Sequence, residues 1–336
     1  MVKIKENFSL KNYNTFGIDV KARYFVSAGN VEEIKEVLAN HRDCFPFIIM
    51  GEGSNILFTK DFNGLIIQPA LKGIKIIEND LENSIVEVGA GENWDDFVKW
   101  SVNSNLGGIE NLSLIPGSTG SCPIQNIGAY GVEVKNVIER VNYLDLETFS
   151  KNSLSNSGCE FDYRTSIFKS QLKNRVIITS VVFRLRHNPV FNIEYGNLQA
   201  EIEKTGNINL ESIRNAVINI RRYKLPDPKI LGNAGSFFKN PVIDTATAKE
   251  LKKNYSSMPQ FPVSEQWVKI PAGWLIEQCG WKGKRLGNAG VHNKQALVIV
   301  NYGNSSGEEI LDISLRISDS VFSEFGIKLE PEVNII

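Results

Sequence analysis

The longest run without a charged residue, Asn111 to Val132, limits what this 336-residue chain can be. It is long enough to cross a bilayer, but it holds four glycines and two prolines among many Ser, Thr and Asn residues. Lipid would leave so broken a backbone without hydrogen-bond partners, so the run is not a transmembrane helix. The opening Met1-Val2-Lys3-Ile4-Lys5-Glu6-Asn7 lacks the apolar core of a signal peptide and carries no lipidation motif. Cys44, Cys122, Cys159 and Cys279 include no Cys-x2-Cys pair, which argues against zinc and against a redox motif. The three histidines, His41, His187 and His292, show neither metal spacing nor a Ser–His–Asp arrangement. No metal is expected, and reduced thiols fit a cytoplasmic setting.

Length alone points to about two domains. With 37 Lys+Arg against 38 Asp+Glu, the net charge of −1 argues against a dedicated nucleic-acid binder. It leaves room for a local basic pocket.

The rest of the chain alternates short strands with a few helices in irregular order, which reads as α+β rather than regular βαβ. Asn30 with Glu33 predicts a capped helix whose inner face is Ile34, Val37 and Leu38. Strands are expected at 46–50, 56–58, 65–67, 84–88, 134–146 and 176–185. Helices are expected from Trp94 to Asn105, around Ile213–Ile220, from Ala272 to Gly280, and after the Ser306/Glu309 capping box. A boundary is expected near Pro226-Asp227-Pro228, where a helix must stop.

Three glycine-rich loops carry the strongest chemical signal: Gly51-Glu52-Gly53-Ser54-Asn55, Pro116-Gly117-Ser118-Thr119-Gly120-Ser121 and Asn126-Ile127-Gly128-Ala129-Tyr130-Gly131. Glycine lets successive amides converge on an anion such as a pyrophosphate without Cβ clashes. Each loop alone also reads as a tight turn; three together favour the anion. None fits the Rossmann fingerprint or the P-loop. Two basic clusters, Arg221-Arg222-Tyr223-Lys224 and Lys282-Gly283-Lys284-Arg285, suit either a phosphate or an ordinary helix end and surface loop. Arg164, among aromatics, suits a carboxylate clamp or a stack at the core edge. Ser236, after Gly235, is a proton donor or a turn residue. Glu332 has apolar flanks that point to partial burial, which raises a carboxyl pKa, or it is an exposed tail acid.

Read in order, several blocks resemble the UDP-N-acetylenolpyruvoylglucosamine reductase family. They are Tyr13-Asn14-Thr15-Phe16-Gly17, Ile115-Pro116-Gly117, Pro123 to Gly131, Tyr163-Arg164-Thr165-Ser166-Ile167-Phe168, Lys224 to Pro228, Gly232 to Pro241, Ala272 to Ile276, and Leu329-Glu330-Pro331-Glu332-Val333. The resemblance runs from about residue 8 to the end. It implies an FAD-binding region of the vanillyl-alcohol-oxidase type in two α+β parts, plus a separate α+β substrate-binding domain. The parts would be residues 1–70, residues 71–225 with 326–336, and residues 226–325.

FAD would be held without a covalent bond, since no histidine lies between Gly51 and Tyr130. Its contacts would be Gly51, Glu52, Gly53, Ser54, Asn55, Ile56, Leu57, Pro116, Gly117, Gly120, Ser121, Gln125, Asn126 and Gly128. NADPH would be the hydride donor. The enolpyruvyl UDP-sugar would then receive hydride at its methylene carbon, giving UDP-N-acetylmuramate for peptidoglycan. Ser236 would protonate the α-carbon, while Arg164 and Glu332 would act on the carboxylate and its enolic form. Tyr130, Tyr195, Lys224, Asn240, Lys282 and Gln295 would bind the UDP-sugar, Tyr195 on a tyrosine loop. A monomer is expected. Phe261 departs from an expected tyrosine and Asn334 from an expected arginine. Two other readings stand beside this one: a different flavoenzyme of the same fold, and a UDP-sugar-binding protein without turnover.

Overall fold

The computed structural model describes residues 2–41, 46–204 and 206–336. Cys44 lies outside the described residues. The chain divides into two compact units. Unit 1 comprises residues 1–8, 22–52 and 63–223, and unit 2 residues 9–21, 53–62 and 224–336.

Unit 1 holds two larger sheets and a two-stranded ribbon, Gly128–Ala129 with Val132–Glu133. The larger is antiparallel, in the order Lys151–Ser155, Ile138–Asp145, Val176–Arg186, Asn83–Gly89, Ile74–Asn79. The other runs Lys5–Ser9, Lys21–Ala28, Phe62–Pro69, Phe47–Ile49, the last two parallel. The first helix, Val31–His41, starts as its sequence requires. Glu33 N–H donates to Asn30 Oδ1 at 2.9 Å, Glu33 Oε2 accepts from Gly29 N–H at 2.7 Å, and Ile34, Val37 and Leu38 are buried. Helix Trp94–Asn103 is capped by Asn93 and buries Trp94, Phe97 and Val98. Trp94 can be buried because its indole N–H donates to the Leu112 carbonyl at 2.9 Å. A second small core lies between the helices Leu198–Glu203 and Leu210–Lys224, with Tyr130, Phe191 and Ile193 against it.

Unit 2 is stitched from distant segments. Strand Asn334–Ile335 pairs in parallel with Ile56–Leu57. Gly232–Asn233, Ile299–Asn301, Ala289–Val291 and Arg285–Leu286 form a four-stranded sheet. Val242–Asp244, Trp267–Lys269 and Phe261–Pro262 form a three-stranded one. The long helix Gly307–Phe325 has the expected Ser306/Glu309 capping box and ends at Gly326 with φ 67°. Two further elements carry no strong sequence signal: helix Thr245–Asn254, capped by Asp244, and the edge strand Lys151–Ser155.

The chain passes from unit 1 to unit 2 between Tyr223 and Lys224. Residues 9–21, 53–62 and 326–336 all group with 224–325, because backbone pairing ties the short segments to the chain's end. Among the described residues no helix is long and apolar enough to cross a membrane. Among the described residues no group of three His, Cys, Asp or Glu side chains is placed to hold a metal.

Candidate active site

In unit 1 the first and second glycine loops meet. A Cβ on Gly51 would lie 2.5 Å from Ser118 Oγ and 2.6 Å from Ser121 Oγ, so only glycine leaves both hydroxyls undisturbed. Those hydroxyls are 2.9 Å apart. Gly120 sits equally close on Ala90, where a Cβ would be 2.6 Å from the Ala90 Cβ. The loop edges are fixed from outside. Gln68 donates to the Gly51 carbonyl at 3.1 Å, and Asn93 donates to both Glu52 carboxylate oxygens at 2.9 and 3.1 Å. Trp94 N–H donates to the Gly117 carbonyl at 2.9 Å.

Among the described residues nothing accepts from the Gly51 and Glu52 amides. The Thr119 hydroxyl is buried with no partner. Donors left over where two glycine loops approach this closely are what a phosphate oxygen needs. These residues fit a pyrophosphate such as that of FAD.

The third loop is built around Asn126, which is 0% exposed with φ 45°. Its amide donates to Glu133 Oε2 and the Asp162 carbonyl, and its Oδ1 accepts from Lys135 N–H. Arg164, itself at φ 55°, reaches this loop. It donates to the Asn126 carbonyl at 3.3 Å and the Gly128 carbonyl at 2.7 Å, and lies over the Tyr163 ring. Arg164, Asn126 and Gly128 are therefore brought together. Pro116 is exposed and Gln125 half-buried.

Tyr130, at φ 48°, meets Tyr195 edge-on, with ring centroids 6.4 Å apart. Burial pushes the Tyr130 phenol above its ordinary pKa. Tyr195 is 55% exposed.

Unit 2 brings together Ser236, Glu332 and Asn55. Glu332 N–H donates to the Phe237 carbonyl at 2.8 Å, Phe238 bridges Pro331 in antiparallel fashion, and Lys239 N–H donates to the Glu330 carbonyl. Ser236 and Glu332 thus lie on backbone segments joined by a single antiparallel bridge, one register step apart, and both are half-buried. Asn55 Nδ2 donates to the Glu332 carbonyl at 3.2 Å, and the Asn55 carbonyl accepts from Asn334 backbone and side chain, both at 3.0 Å. Asn334, where an arginine was expected, serves this backbone junction.

The segment before Ser236 is held by an Asx turn. Asn233 Oδ1 accepts from Gly235 N–H at 2.9 Å, and Gly235 has φ 70°. Thr15 N–H donates to the Gly53 carbonyl at 3.2 Å, and a Gly53 Cβ would strike the Tyr13 carbonyl at 2.0 Å. Ser54, Ile56 and Leu57 continue this strand toward 334–335. Asn240 Oδ1 accepts from Ala272 N–H at the start of helix Ala272–Gln278, and the side-chain oxygen of Gln295 accepts from Leu297 N–H. Lys282 pairs with Glu277 at 2.8 Å, Lys284 lies over Trp281, and Arg285 over Tyr302. Lys224 is exposed at the end of its helix. Phe261 is also exposed.

Sequence reasoning missed the supports: Gln68, Asn93 and the bidentate pair of Arg214 with Asp95 at 2.7 and 2.9 Å. Only Asn93 left a signal, as the cap of a helix.

Comparison with known proteins agrees with this geometry. Residues 22–148 match the FAD binding domain family, and residues 227–336 match UDP-N-acetylenolpyruvoylglucosamine reductase, C-terminal domain. A UDP-N-acetylenolpyruvoylglucosamine reductase of Flavobacterium johnsoniae is 50% identical over 339 residues, covering 100% of both chains. One from Bacteroides fragilis is 44% identical over 333 residues, covering 99% of this chain and 100% of that one. The crystal structure of the Thermus caldophilus enzyme of this name superposes with a TM-score of 0.68 at 23% identity, over 100% of this chain and 98% of that one. With full-length identity of this order, with both domains matched and with the fold shared, the chain belongs to the UDP-N-acetylenolpyruvoylglucosamine reductase family.

Proposed function

We propose that this protein reduces UDP-N-acetylglucosamine enolpyruvate to UDP-N-acetylmuramate, using NADPH and non-covalently bound FAD, in peptidoglycan precursor synthesis. The observation that carries the reading is the strand pairing of Ser236–Phe238 with Pro331–Glu332 beside Asn55. It supports the reading by bringing the backbone of Ser236 and Glu332 close together, next to a segment expected to hold the flavin.

Bound FAD would supply a two-electron carrier between NADPH and the enolpyruvyl group. Addition of hydride at the methylene carbon leaves negative charge on the α-carbon and carboxylate. Arg164 offers fixed charge and a planar fork to that carboxylate, with Glu332 acting on its enolic form. Ser236 Oγ gives its proton to the α-carbon. Serine is a weak acid, so the transfer depends on the strong basicity of that carbon. In unit 1, Gly51, Glu52, Pro116, Gly117, Gly120, Ser121, Gln125, Asn126 and Gly128 would hold FAD. In unit 2, Gly53 to Leu57 would do so.

Tyr130, Tyr195, Lys224, Asn240, Lys282 and Gln295 would hold the sugar nucleotide. The functional parts would be 1–70 and 71–225 with 326–336 for FAD, and 226–325 for substrate. The chain would work as a cytoplasmic monomer. Incubation of the purified, flavin-loaded protein with NADPH and the enolpyruvyl substrate should give a product heavier by two hydrogens, read by mass spectrometry. Consumption of NADPH with unchanged substrate would reject the reading.

A further inference from the structure

Helix Leu210–Lys224 carries Arg214 and Arg221, seven residues and so about two turns apart on one side. Their fates differ. Arg214 is fully engaged by Asp95, whose carboxylate also accepts from Leu114 N–H at 2.5 Å. Arg221 makes no hydrogen bond or ion pair among the described residues, and its Nε is buried without an acceptor. It lies in electrostatic range of Tyr130 and of Asp95. Two guanidinium groups thus share one carboxylate, and one positive charge is left without a counter-charge.

The surroundings are rigid and polar. Asn111 Nδ2 donates to the Tyr130 carbonyl at 2.9 Å and the Asn192 carbonyl at 2.7 Å. It thereby ties the Tyr130 loop to the segment leading to Tyr195. Asn111 Oδ1 is a second buried atom without a partner. Burial disfavours the Arg221 charge and keeps the Tyr130 phenol neutral, hence a donor. Leaving a buried donor without an acceptor lowers stability. A fold that keeps one has a place for an anion.

We propose that Arg221 anchors a diphosphate: its guanidinium, with the Tyr130 hydroxyl beside it, takes a phosphate oxygen of a ligand that binds under Tyr195. The inference rests on the function proposed above, in which Tyr130 and Tyr195 belong to the sugar-nucleotide site. The shared chemistry is a nucleoside diphosphate ester, present in both the UDP-sugar and the nicotinamide dinucleotide.

The test is calorimetric titration of flavin-loaded wild type, Arg221→Gln and Arg221→Lys with UDP, NADP⁺ and uridine, alongside thermal melts and flavin content. Arg221→Gln should weaken UDP, NADP⁺ or both by about tenfold or more, as for loss of a hydrogen bond to a charged group. Loss for UDP alone identifies the sugar nucleotide as the occupant, loss for NADP⁺ alone the dinucleotide, and loss for both a common seat. Uridine, which has no phosphate, should bind the variant as it binds wild type. Arg221→Lys should recover part of the affinity. The melting temperature of Arg221→Gln should equal or exceed that of wild type, because a buried donor without an acceptor has gone. Unchanged UDP and NADP⁺ affinities would overturn the proposal. So would loss of flavin from the variant, or a lower melting temperature with uridine binding reduced in step. A wild-type protein that binds neither UDP nor NADP⁺ would instead reject the parent reading.

Discussion

Ser236 is a residue whose chemistry can be isolated by removing one atom. Its neighbours fix its place through backbone, not through its hydroxyl: the Phe237 carbonyl accepts from Glu332, and the Asx turn of Asn233 supports Gly235. Ser236→Ala should therefore fold normally and be reduced by NADPH at close to the wild-type rate. Its reoxidation by the enolpyruvyl substrate should fall by about 10²–10⁴, the range of a positioned general acid. Stopped-flow absorbance on each half-reaction separates the two. A substrate half-reaction at normal speed would return Ser236 to the role of a turn residue. From sequence, Ser236 and Glu332 were two candidates nearly a hundred residues apart. Local pattern could not pair them, because the register between 236–239 and 330–332 is a long-range fact set by backbone hydrogen bonds.

Among the elements, the glycine loops separate a ligand role from a packing role. Gly51 faces two serine hydroxyls, which can rotate away from an added methyl, whereas Gly120 faces the Cα and Cβ of Ala90, which cannot. Gly51→Ala should lose FAD while melting, in the flavin-free state, close to wild type. Gly120→Ala should lose FAD and also about 1–3 kcal/mol of stability from overpacking. Flavin absorbance of the purified proteins and denaturant titration of flavin-free samples check both. Equal flavin content in Gly51→Ala and wild type would make the first loop an ordinary turn. Elements with strong periodicity and caps, such as Val31–His41 and Gly307–Phe325, were legible in the sequence because their signals are local. The edge strand Lys151–Ser155 was not, since every second residue of an edge need not be buried.

For the molecule as a whole, stability depends on pH through the pair that braces unit 1. Burial alone would raise the Asp95 carboxyl, but Arg214 and the Leu114 amide outweigh it and hold it below 3.8. A depressed folded pKa contributes stability that is present above the unfolded value and is lost as pH falls through the folded one. Asp95→Asn should therefore be less stable than wild type at neutral pH, by roughly 3 kcal/mol for a largely buried pair broken on one side. The difference should shrink as pH drops below 3.8. Urea titrations at several pH values measure it, and a pH-independent difference would assign Asp95 a packing role instead. The helix stop ahead of Pro226 was readable from the proline itself. The grouping of residues 9–21 and 53–62 with the C-terminal unit was not, because a strap of a dozen residues carries no sequence mark of the partner it joins.

The central claim is a two-step reduction carried by one flavin site, and anaerobic mixing tests it most directly. NADPH added to the purified yellow protein should bleach the flavin band, and UDP-N-acetylglucosamine enolpyruvate added next should restore it, one equivalent of substrate for each equivalent of flavin. Bleaching with no recovery on addition of that substrate, or recovery equally well with UDP-N-acetylglucosamine lacking the enolpyruvyl group, would contradict the account.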